Sequence, residues 1–173
     1  MQEGAAATES APGSRGLLYR AVEAWAILGG LILLGVVLMT TWSATSGVVI
    51  SRPLPGDVEL TEMLVAVAVF MFLPWCQYTG ANVTADIFTQ RAGPRAVAVM
   101  SLLAAVAALA FSVLLIWRMY AGLLDYREYV ETTTILHIPI WYAYVPALAS
   151  LALLVIACAG SLRLAFRDLR AAR

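Results

Sequence analysis

The chain has 173 residues, 62% of them hydrophobic and 13% charged, with eleven acidic and eleven basic side chains and no formal net charge. A soluble domain carries roughly 45–50% apolar and about 25% charged residues, so this composition excludes an ordinary water-soluble globule. The neutral balance gives no sign of a nucleic-acid partner, and every basic residue is an arginine.

In chain order, residues 1–14 are rich in Ala, Ser, Gly and Glu and read as a disordered cytoplasmic tail. Their acidic Glu3 and Glu9, and the length of the apolar run that follows, argue against a cleaved signal peptide. The first apolar run spans about Val22–Trp42 and follows Arg15 and Arg20. A Pro- and Gly-containing turn, Arg52–Asp57, separates it from a second run at about Leu60–Tyr78, with Asp57 as the expected N-cap. Pro74, inside that run, is the one helix-interrupting residue singled out in the spans and is expected to bend the helix. The third run covers about Ala96–Tyr120, after the turn Arg91–Arg95. The polar stretch Gly122–His137 is expected to prolong the third helix beyond the lipid or to lie on its surface, because Leu123, Tyr126 and Val130 share a helical face. The fourth run is about Ile140–Leu162, and residues 169–173 form a second cytoplasmic tail.

A hydrocarbon core needs about 20 apolar residues per helix, and each run supplies them. Backbone polar groups must be satisfied inside a spanning segment, so helices or closed barrels are the choices, and these runs are too long and too uniform for barrel strands. The fold expected is all-α integral membrane, one domain over residues 15–168 with four transmembrane helices. Orientation follows from arginine placement. Arg15, Arg20, Arg91, Arg95, Arg163, Arg167, Arg170 and Arg173 fall on one side, against Arg52, Arg118 and Arg127 on the other. The positive-inside rule puts both termini in the cytoplasm, N-in/C-in. Trp25, Trp42, Trp75, Trp117 and Trp141 all lie near expected span ends, where an apolar ring with a polar tip is favoured.

The span interiors are chemically bland. The central turns of the four runs carry no Asp, Glu, Arg or His, whereas an ionisable group at mid-membrane normally marks a transport or proton path. Cys76 and Cys158 show no metal or redox spacing and read as structural thiols, and His137 is the lone histidine. No nucleophile–base pair, metal cluster or phosphate loop is present, so no enzyme activity and no cofactor are expected. Stripes of small residues, Ala26 with Gly30 and Ala104 with Ala108 and Ser112, suit close helix approach, either within this bundle or onto a partner membrane protein. Glu59 and Glu62 share a face in the first turn of the second helix, which suits the helix dipole or an acidic contact on the external side.

Three segments carry a family resemblance. Pro53–Leu60, leading into the second helix, resembles a Pro-x-Pro-(Trp)-x-Glu-Glu-Leu pattern. Gly80–Asp86, leaving that helix, resembles Gly-Ala-His-(Ile/Val)-x-Val-Asp. Leu136–Trp141, ahead of the last helix, resembles Leu-x-Ile-Pro-x-Trp. These patterns, in this order and over roughly Arg20–Leu162, resemble the small membrane subunit of tripartite ATP-independent periplasmic (TRAP) transporters. Val58, Asn82 and Thr84 depart from the family pattern, standing where it has Glu, His and Arg.

The resemblance implies a non-catalytic small permease subunit in the bacterial inner membrane. In such systems a periplasmic binding protein delivers an organic acid, and a large membrane subunit carries it inward on an ion gradient, usually sodium. Partners implied are the large subunit, the binding protein and membrane lipid, with Glu59, Glu62, Asn82 and Asp86 as candidate partner-interface residues. The alternative is a membrane-anchor subunit of a redox complex, which would need haem or quinone ligands that one histidine does not supply.

Overall fold

A computed structural model describes residues 15–80 and 94–171. Residues 1–14, 81–93 and 172–173, which include the expected N-terminal tail, Asn82 and Asp86, lie outside the described residues. The described chain forms four helices: α1 (Arg15–Ile50), α2 (Asp57–Thr79), α3 (Pro94–Glu128) and α4 (Trp141–Ala171). All four are long and apolar enough to cross a membrane.

The helices outrun their apolar cores. α1 has 36 residues, about 54 Å at 1.5 Å per residue, against a hydrocarbon thickness of about 30 Å. α3 runs on to Glu128, so the expected prolongation holds for Gly122–Glu128, while residues 129–140 leave the helix. α4 contains Pro146 as well as the apolar run, so two described helices, not one, hold an internal proline. Pro146 sits in the second turn of α4, where few hydrogen bonds are lost, and its carbonyl accepts the Ser150 hydroxyl at 2.8 Å.

The helix order across the packed layer is α1, α2, α4, α3: α1 packs on α2, α2 on α4, and α4 on α3. Packing follows a seven-residue rhythm. On α1 the buried positions are Val22, Ala26, Gly29, Val36 and Ser43; on α3 they are Ala98, Ala105 and Ser112. That period suits a shallow left-handed crossing. It also sorts the small-residue stripes: Ala26 and Ser112 are buried and Ala108 packs on the core, whereas two other positions meet no close neighbour in this chain. Gly29, not Gly30, makes the close approach: a Cβ at Gly29 would lie 3.0 Å from Met71 Cβ, while Gly30 has nothing within 4 Å. On α3 Ala105 is buried and Ala104 is exposed. A strict four-residue step turns about 400°, so a stripe built from it drifts off the contact face, whereas alternating steps of three and four stay on it.

The densest cluster is Leu151, Leu154 and Cys158 of α4, with Phe70, Leu73, Leu109 and Ile116 against it. Cys158 is a buried free thiol and Cys76 a half-buried one. Trp25 donates its indole N–H to Ser150 Oγ at 2.8 Å, tying α1 to α4. In lipid such a bond between helices contributes on average about 0.6 kcal/mol.

Candidate partner interface

The end of the molecule carrying the α1–α2 and α3–α4 connections is knitted by side chains. α2 starts after Gly56, which occupies the N-cap in the left-handed region at φ 79° and offers no side-chain cap. This corrects the expected role of Asp57, which is the first helical residue. Asp57 accepts the Val58 N–H at 2.8 Å through Oδ1 and the Ser43 hydroxyl through Oδ2. Ser43 in turn accepts the Leu54 N–H at 3.2 Å, so one buried hydroxyl fastens the whole Arg52–Asp57 turn to α1. A β-carbon at Gly56 would overlap the Leu136 side chain, which closes over this turn.

Leu136 belongs to the α3–α4 connection, and Glu59 holds that connection in place. Its two carboxylate oxygens accept the backbone N–H groups of Ile135 at 2.8 Å and Leu136 at 3.1 Å. The connection is itself folded back: Thr133 N–H donates to the Ile138 carbonyl at 3.0 Å, and Ile138 N–H donates to Thr133 Oγ1 at 3.0 Å. Thr132 bridges to Pro139, and Val130 and His137 take positive φ angles of 47° and 55° to make the reversals. Arg127 lies over the Trp141 ring at 5.5 Å, and Tyr126 packs on Tyr144 at 5.2 Å, so the ends of α3 and α4 close on each other.

Of the four residues expected at a partner interface, two are described. Glu59 is engaged within the chain, and Glu62, one turn on, is exposed. Sequence spacing pairs these two as equivalents; the structure separates them, because α2 presents only Glu59 to the folded connection. Nothing in the spacing signals a partner 76 residues away. Ser43 was also passed over, although it continues the seven-residue series of Gly29 and Val36 and could have been found by it.

Among the hollows of the described surface, two bear on function. A crevice of about 620 Å³ between α1, α2 and α4 is almost wholly apolar, lined by Trp25, Leu31, Leu60, Met63, Met71 and Tyr142 among others. A shallower hollow of about 350 Å³ near the end of α4 is lined by Arg163, Phe166, Arg167 and Arg170. Among the described residues, no group of three or more His, Cys, Asp or Glu side chains could hold a metal ion.

The family described as tripartite ATP-independent periplasmic transporters, DctQ component, matches residues 36–168. The chain belongs to that family. The match covers most of the described structure, from the middle of α1 to the end of α4, including both connections built around Glu59. It makes the chain the small permease component of a TRAP transporter, a multi-pass membrane protein and a transporter component. The DctQ component works alongside a large membrane subunit and a periplasmic binding protein. No curated protein and no solved structure matches the chain.

Proposed function

We propose that this DctQ component is the fixed scaffold of an inner-membrane TRAP transporter. It holds the large subunit while that subunit moves an organic acid inward on a sodium gradient. Both termini lie in the cytoplasm, and the end knitted by Glu59 faces the periplasm. The reading is carried by one observation: a family member whose spans have no ionisable side chain in their central turns. A helix layer without such groups has nothing to bind or pass a charged solute at mid-membrane, so that work belongs to the neighbouring subunit.

Glu59, Glu62, Asn82 and Asp86 are the proposed interface residues, with different tasks. Glu59 acts through the connection it clamps and so shapes the surface offered outside the membrane. Exposed Glu62 is free to meet a partner directly, and Asn82 and Asp86 serve the opposite end of α2. The test is deletion of this chain in cells that retain the large subunit and the binding protein. Uptake of the organic acid should be abolished, and this chain should co-purify with the large subunit. Undiminished uptake after deletion overturns the proposal. Persistence of uptake after sodium is replaced by potassium overturns the assigned coupling ion alone.

A further inference from the structure

α4 carries one continuous exposed lane along its length. Val145, Ala149, Ala152, Ile156, Gly160, Arg163, Arg167 and Arg170 are all exposed and fall on the same side of the helix, away from α2 and α3. The lane changes character once. Its first five residues are apolar, and a Cβ at Gly160 would have nothing within 4 Å. Its last three are arginines, which fall within about 60° of one another around the helix axis at 3.6 residues per turn. Together with Phe166, 48% exposed, they line the hollow of about 350 Å³.

The level of the change matters. Arg163 is 22 residues beyond Trp141, which is about 33 Å along a helix. That matches a hydrocarbon core of about 30 Å with Trp141 at one boundary and Arg163 at the other. Arg163 therefore falls at the edge of the hydrocarbon core, with Arg167 and Arg170 about 6 and 10 Å farther along the helix, directly above an open apolar track. A planar guanidinium grips a phosphate by two parallel N–H···O bonds, which an ammonium cannot do.

We propose that this lane is a binding site for an anionic phospholipid. The phosphate diester lies among Arg163, Arg167 and Arg170, and an acyl chain runs along Gly160, Ile156, Ala152 and Ala149. Free phosphate would use the arginines but not the track. An acidic protein segment would not need the track to begin at hydrocarbon depth. The inference rests on the membrane-spanning fold and not on the transporter reading.

The test uses the purified full-length chain in detergent with equimolar phosphatidylglycerol and phosphatidylcholine of matched chains, read by native mass spectrometry. Phosphatidylglycerol adducts should outnumber phosphatidylcholine adducts by about tenfold, and the triple variant R163Q/R167Q/R170Q should lower their retention by about a hundredfold, given that juxtamembrane arginines act additively on anionic lipid. R163K/R167K/R170K keeps the charge, and with it insertion orientation, and should still lose roughly three- to tenfold because the forked geometry is gone. R118Q/R127Q, at the other end, should leave the preference for phosphatidylglycerol unchanged even where loss of the Arg127–Trp141 contact loosens that end. Equal adduct levels for the two lipids overturn the proposal, as does equal loss in R118Q/R127Q. Unchanged lipid retention in the triple Gln variant, accompanied by loss of the large subunit from pull-downs, overturns it too and assigns the arginines to protein docking.

Discussion

The two ends of this layer are built on opposite plans. At the end of the α1–α2 and α3–α4 connections, charged groups are turned inward upon the chain: Glu59 takes two backbone N–H groups, Asp57 takes a hydroxyl and an N–H, and Arg127 rests on Trp141. At the end of α4, Arg163, Arg167 and Arg170 stand exposed around a hollow, and Gln77 joins α2 to α4 through a long bond of 3.4 Å to Ser161. The difference shows that charge on a membrane protein's rim does two jobs. Where connections must be shaped, carboxylates satisfy backbone donors; at the α4 end, arginines line an open hollow.

Breaking the first end should have the largest effect. Gly56→Val puts a β-branched residue at φ 79° and drives a side chain into Leu136. The backbone cost alone is about 1–3 kcal/mol, and unfolding in detergent should show at least that loss. Next, Gly29→Leu should separate α1 from α2 at a cost of about 1–3 kcal/mol by overpacking, whereas Gly30→Leu should leave stability unchanged. The same unfolding measurement distinguishes them.

Smaller effects sharpen the contrast. Glu59→Ala should speed hydrogen exchange at the Ile135 and Leu136 amides, with Glu59→Gln intermediate because one acceptor oxygen remains; Glu62→Ala should leave both amides as they are. Protection unchanged in Glu59→Ala would show that the connection holds itself. Smallest of all, Trp25→Phe should cost about 0.6 kcal/mol, the average for a hydrogen bond between membrane helices. Adding Ser150→Ala to Trp25→Phe should cost only what the separate Ser150–Pro146 bond contributes, since the bond to Trp25 is already gone.

Helix number and order were legible in the sequence because apolar length is a coarse signal that lipid enforces residue by residue. Helix ends were less so. α1 continues to Ile50 through Ser43, Ala44, Thr45 and Ser46, residues too polar to count as span yet able to stay helical, and Thr45 satisfies its hydroxyl on the Thr41 carbonyl at 2.8 Å. The small-residue stripes were legible only in part: Ala26, Ala108 and Ser112 turn into the bundle, but the closest approaches fall at Gly29 and Ala105, since composition shows that small residues are present and only the helix phase shows which of them meet a neighbour. Glu59 was picked out for its family motif and its place in the first turn. Its partner lies across a fold-back that depends on positive φ at Val130 and His137, positions no composition rule marks for those residue types.

The helix order α1, α2, α4, α3 has a mechanical consequence. α1 and α3 each pack chiefly on one neighbour, although α1 also reaches α4 through Trp25 and Ser150. The two middle helices, α2 and α4, are therefore braced from both flanks, whereas each outer helix is anchored chiefly on one.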